Sequence, residues 1–147
     1  MIKSNFSQTI TEMNLMYKLP VHDKPSLPVN ISERLIKFKA TLLDEVHEID
    51  EIVQLAQNGG NPADIAVALA DLLGDITVYC RSEALKYGLP LEEVLEVIME
   101  SNASKLDANG MPIYDDNGKF LKGPNYWQPE PRIKELLQAR GIQSGTW

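Results

Sequence analysis

The chain has one cysteine, Cys80, so no disulfide can close within it. Its first residues lack a basic segment followed by an apolar run of signal-peptide length. Both absences point to the cytoplasm. No stretch reaches the roughly 18 to 20 apolar residues that a membrane-crossing helix needs, so a soluble protein without membrane partners is expected. Histidine is limited to His22 and His47. A di-iron carboxylate bundle needs two Glu-x-x-His-type motifs, whereas only Asp44-x-x-His47 approximates one and His22 lies among prolines. Basic residues are outnumbered, 14 Lys and Arg against 21 Asp and Glu, for a net charge of -7. A surface so acidic is ill-suited to releasing counterions from a nucleic acid polymer. It can still hold a small polyanion if divalent cations invert the local field. A calcium loop over 107–118 is disfavoured because Pro112 stands where the loop needs its sharp-turn glycine. Internal repeats and low-complexity tracts are also missing.

What remains is 147 residues, 44% hydrophobic and 24% charged, the make-up of one ordinary domain over 1–147. Phe6, Ile10, Met13, Leu15 and Met16 predict a first helix near Asn5 to Leu19. The segment from Pro20 to Pro28 holds three prolines and must be extended. Asn30 or Ser32 can cap a second helix that ends near Gln57 at Asn58-Gly59-Gly60. Asn61-Pro62 opens a third, lasting to Tyr87-Gly88, and Pro90 a fourth that fades between Asn102 and Lys105. Turn signals at Asn109-Gly110 and Asp116-Asn117-Gly118 flank Met111 to Tyr114 and Lys119 to Leu121, which reads as a small hairpin. A short helix from Arg132 to Ala139 follows. The expected class is all-α: a bundle of about four main helices, core near 30–106, with a hairpin and tail over 107–147 that wraps the bundle. Tyr126 and Trp127, beside prolines, are expected to pin that tail.

Certain acids occupy positions where charge is costly. On the second helix Phe38, Leu42, Ile49, Ile52 and Ala56 form one face, and Glu45 projects from its middle. Glu48 borders that face and Asp44 pairs with Glu48 at a spacing of four. Asp50 and Glu51 belong to a solvated edge, and His47 faces away from Glu45. The third helix is apolar or small almost all round between Ile65 and Cys80, apart from Asp71 and Asp75, and is therefore expected to be buried on most sides. Asp71 and Asp75 stack four apart, with Asp64 near the same face. Gly74 between them suggests close helix packing or room for a ligand. Such carboxylates need ion pairs, with Arg34, Arg81 or a lysine, or else metal ions. Glu45, Glu48, Asp71 and Asp75 on facing helices would form an all-oxygen cage suited to Mg²⁺ or Mn²⁺.

This pattern resembles the all-α NTP pyrophosphatases, the MazG-like and phosphoribosyl-ATP pyrophosphohydrolase-like group. Leu43-Asp44-Glu45-Val46-His47-Glu48 is similar to the family's E-E-x-x-E region, and Ala68 to Asp75 to its E-x-x-D helix. The segments 83–90, 101–106 and 118–124 resemble those that follow, so the likeness covers about 30–130. It implies Mg²⁺-dependent cleavage of a nucleoside triphosphate between its α and β phosphates, in a homodimer or homotetramer. It also implies metal ligation by Glu45, Glu48 and Asp71 with Asp75 as a fourth, and a base or outer-ligand role for Asp44. Asn102, Lys105, Lys119 and Lys122 correspond to phosphate-side and nucleotide contacts. One departure is plain: if Asp71 is the family's terminal aspartate, Ala68 stands where glutamate is expected. Either Asp75 substitutes for that glutamate, or Asp75 is the terminal aspartate and Asp71 replaces it. The competing reading is a non-catalytic nucleotide-binding or interaction protein with a degenerate site.

Overall fold

Helices carry the architecture in the computed structural model, which describes residues 5–144 and 147. They are α1 (Phe6–Met16), α2 (Ile31–Gln57), α3 (Pro62–Lys86), α4 (Leu91–Ala103) and α5 (Glu130–Ala139). Four two-residue strands accompany them: β1 (Ser26–Leu27), β2 (Ile113–Tyr114), β3 (Phe120–Leu121) and β4 (Gln143–Ser144). The class is all-α, as the sequence implies. Among the described residues no helix is long and apolar enough to cross a membrane.

Helix ends follow local chemistry. Asn5 caps α1, its side chain accepting the Gln8 amide at 3.4 Å. The helix stops at Met16, short of the expected Leu19; Lys18 takes a left-handed φ of 57° and the Leu19 amide turns back to the Asn14 carbonyl at 2.8 Å. Asn30 stands at the N-cap position of α2 without capping it, because its Oδ1 accepts Arg34 Nε at 3.2 Å instead. At the far end Gly59 adopts φ 74° and the Gly60 amide donates to the Leu55 carbonyl at 2.9 Å. A Cβ on Gly60 would lie 2.6 Å from that same oxygen, so glycine is required. Asn61 then caps α3 through the Ala63 amide at 2.8 Å, with Pro62 in the first turn. So short a connection makes α2 and α3 packed, antiparallel neighbours.

The chain divides into two compact units, residues 1–89 with 143–147 and residues 90–142. In the first, α1 and α2 pack on α3. Ile10, Leu72, Ala84 and Tyr87 are buried in it, together with Pro25 and Pro28. Asn14, 0% exposed, spans α1 and α3: its Nδ2 donates to the Ser82 carbonyl at 3.2 Å and Ser82 Oγ donates to Asn14 Oδ1 at 2.7 Å. The proline segment is free of helix but bends at Asp23 and Lys24, and β1 within it pairs in parallel with β4, Ser26 opposite Gln143. Trp147 completes this corner, stacking on His22 at 4.2 Å while its carbonyl accepts the Val29 amide at 2.8 Å.

In the second unit α5 runs beside α4, with ion pairs Arg132 to Glu100 and Arg140 to Glu93. β2 and β3 form the expected hairpin, Ile113 opposite Leu121 and Tyr114 opposite Phe120. Trp127 anchors the segment after it. Ser101 Oγ donates to its carbonyl at 2.9 Å, its amide donates to Ser104 Oγ at 3.2 Å, and Arg132 lies 3.6 Å over its ring.

One expectation is corrected. α3 is not buried on most sides within the chain: Val67, Leu69 and Leu73 are exposed, Leu73 by 55%. Nothing lies within 4 Å of a Cβ built on Gly74, so no close helix contact occurs there. A single chain supplies α3 with too few neighbours, and α1 and α2 cover only the side that holds Leu72, Ser82, Glu83 and Ala84.

Candidate active site

Helix α2 buries one side chain, and it is a carboxylate: Glu45, 7% exposed. The apolar face predicted from the sequence is there, but much of it, including Ile49, remains open. Glu45 and Asp75 stand at similar distances from the 58–61 turn, so antiparallel packing brings them level. Glu45 Oε2 is buried and has no hydrogen-bond partner. Burial raises the Glu45 carboxyl above its ordinary value, and the like charges of Glu48 and Asp75 raise it further; the Tyr79 hydroxyl pulls the other way. The Tyr79 phenol is raised in turn by burial and by the charges of Glu45 and Asp75. Glu45, Glu48, Asp75 and Tyr79 therefore form one coupled group on two helices.

The other sequence candidates fall at different places. Asp71, one turn before Asp75 on the same face, is exposed, as are Asp44 and, against the expectation of buried acids, Asp75 and Glu48 themselves, because α3 and the rim of α2 lack a covering neighbour. Asp64 lies in the first turn of α3, where a negative charge suits the helix dipole. His47, Asp50 and Glu51 are solvent-exposed as expected. Asn102, Lys105, Lys119 and Lys122 belong to the second unit. There Lys105 and Lys122 gather on Tyr126, with Nζ 6.0 and 4.7 Å from its ring centroid, and Lys105 is also 5.8 Å from Phe120. Lys119 stands apart in the hairpin turn, its amide held by Asp115 Oδ1 at 2.8 Å. Asn102 ends α4, its carbonyl accepting the Lys105 amide at 3.2 Å.

Among the described residues no three His, Cys, Asp or Glu side chains are close enough together to hold a metal ion as they stand. The donor set nevertheless fits a hard divalent cation. It is all oxygen, no cation pairs with it among the described residues, and the orphaned Oε2 of Glu45 is a buried acceptor still to be satisfied. Tyr79 was not singled out from the sequence. Its signal was available, since it follows Asp75 by four residues and so shares its helical face. Beside the group a cavity of about 460 Å³ opens between α1, α2 and α3, bounded by Tyr17, Lys37, Phe38, Asp75 and Tyr79 among others.

No family model matches the chain, and no curated protein matches it. Among solved structures it is similar to a proposed NTP pyrophosphohydrolase from Exiguobacterium sp. 255-15, with a TM-score of 0.50 and 17% identity over 94% of this chain and 96% of that one. At that identity the likeness is one of fold, and the fold is the all-α one implied by the sequence resemblance to the NTP pyrophosphatases.

Proposed function

We propose that the chain is a Mg²⁺-dependent pyrophosphohydrolase that splits a nucleoside or deoxynucleoside triphosphate between its α and β phosphates, giving a monophosphate and pyrophosphate. One observation carries the reading: a buried carboxyl, Glu45, that leaves its Oε2 without a hydrogen-bond partner and feels the like charges of Glu48 and Asp75, with no cation paired to it among the described residues. Carboxylates are seldom buried unpaired for structural reasons. The proposed activity of the structural neighbour supports the same reaction.

Glu45, Glu48, Asp71 and Asp75 would hold Mg²⁺, or Mn²⁺. Bound there, the ion would offset the triphosphate charge and acidify a water for in-line attack. Asp44 serves as a base or orients a ligand, and Tyr79 Oη donates to the carboxyl group it adjoins. Because Asp75 is the α3 charge that acts on Glu45, the better alignment takes Asp75 as the terminal aspartate, with Asp71, four residues earlier, replacing the family's glutamate. Lys105, Lys119, Lys122 and Asn102 are assigned to the phosphates and nucleotide. The exposed apolar side chains of α2 and α3 favour a homodimer or homotetramer.

The test is a panel of NTPs and dNTPs, with and without Mg²⁺, in which pyrophosphate is measured against orthophosphate and Glu48→Ala is the control. Metal-dependent pyrophosphate release that disappears in the variant is the expected result. A folded, Mg²⁺-binding protein that releases none would leave a nucleotide-binding role.

A further inference from the structure

The cavity beside the acids has two ends of opposite character. One is the acid group at Asp75 and Tyr79; the other carries Arg34, Lys37 and Lys86, with one carboxylate, Glu83, occupied by Lys86 and the Tyr87 hydroxyl. Lys37 and Glu45 lie eight residues apart on α2, about 12 Å along its axis, a span suited to a nucleoside rather than to a phosphate alone. Phe38, Val78 and Tyr79 supply apolar walls between the ends.

Lys86 is accounted for by the fold, since it bridges Glu83 at 2.9 Å and sits in the last turn of α3, where a cation is favoured. Arg34 and Lys37 are not. Neither has a carboxylate partner among the described residues. Arg34 is also held in place, its Nε on Asn30 Oδ1 at 3.2 Å and its guanidinium 4.5 Å over the Trp147 ring. A fixed, unpaired guanidinium with an ammonium one turn away is an arrangement that binds anions, here in a chain of net charge -7.

We infer that the cavity accepts a nucleotide bearing a second anionic group, on its ribose or its base, which Arg34 and Lys37 bind at the end remote from the acids. The inference rests on reading the acid group as the phosphate end. It narrows the substrate from any triphosphate to one whose nucleoside part is itself charged.

The experiment is calorimetric titration of the full chain in Mg²⁺ buffer with two matched pairs. Adenosine 3′,5′-bisphosphate against adenosine 5′-monophosphate places the anion on the ribose; orotidine against uridine 5′-monophosphate places it on the base. In one pair the doubly anionic member is expected to bind about tenfold more tightly, as for one charge-assisted contact, and that pair names the position. The preference should vanish in Arg34→Ala/Lys37→Ala. Because Arg34 touches Trp147, Lys37→Ala alone is the second variant, and it should erode the preference while leaving the circular dichroism spectrum unchanged. Equal affinities in both pairs, or a preference that survives both variants, overturns the inference. Pyrophosphate release from plain NTPs with no such preference removes this inference alone, whereas a preference without any pyrophosphate release removes the hydrolase reading and leaves the anion site standing.

Discussion

The Tyr87 hydroxyl donates to Glu83 Oε1 at 2.8 Å, and Lys86 closes on the other oxygen of the same carboxylate at 2.9 Å. Burial, reinforced by Glu83, raises the Tyr87 phenol from 10.0 to about 12. A raised folded value favours the protonated form, so the contribution is complete below pH 10 and is lost as pH rises towards about 12. In urea titrations across that window wild type should lose stability faster than Tyr87→Phe. Parallel curves would mean that Tyr87 ionises as freely in the folded chain as in the unfolded one.

The buried pair formed by Asn14 and Ser82 should behave as a unit. Asn14→Ala strands a hydroxyl and a carbonyl and is expected to cost about 2 to 3 kcal/mol. Adding Ser82→Ala removes one stranded group, so the double variant should be less destabilised than the sum of the single changes, by roughly 1 kcal/mol. A chemical-denaturation cycle of the four proteins measures this directly.

Glu45 is expected to show a conflict between stability and activity. Its carboxyl is raised, so whatever stability its protonated form provides is present at low pH and lost as pH climbs through the raised value. Glu45→Gln carries a neutral group at every pH and can donate to Glu48 or Asp75. At neutral pH without metal its thermal midpoint should exceed that of wild type. Pyrophosphate release should fall by at least roughly 100-fold, and Mg²⁺ should no longer raise the midpoint. A variant that keeps its Mg²⁺ response would remove Glu45 from the ligand set.

Leu73, next to the open space at Gly74, is the place to test assembly. If two copies bury their α3 faces together, Leu73→Glu should weaken association by at least roughly thirtyfold and shift sedimentation to the monomer. A wild-type chain that is already monomeric would dismiss the oligomer.

Much of the helical layout was legible because its punctuation is local. Asn58-Gly59-Gly60-Asn61-Pro62 is a stop, a turn and a start written in consecutive residues, and α2 and α3 end and begin there. Glu45 was equally legible, as a charge set in an apolar stripe; the chain buries that carboxylate while leaving much of the stripe open. Long-range pairings were not. Nothing near Ser26 announces a strand partner at Gln143, and nothing in the spacing of Asn14 points to Ser82. The apolar surround of α3 was read as burial, although sequence periodicity registers only that a face is apolar and says nothing about whether this chain covers it. Tyr79 was passed over because a tyrosine in an apolar helix reads as packing until a buried carboxylate is found beside it.

The two ends of the cavity are held by contacts of very different reach along the chain. The acid end depends on two helices joined by a turn of a few residues, a loop that closes with little loss of chain entropy. The guanidinium of Arg34 leans on Trp147, which is tied by its indole N–H to the Ser26 carbonyl 121 residues away in sequence. Closing so long a loop costs more, and such contacts are among the first to open when a structure breathes. Mild denaturant should therefore release Arg34 while Glu45 and Asp75 still face each other, so that selectivity for the distal anion fades before the capacity to gather phosphate and metal.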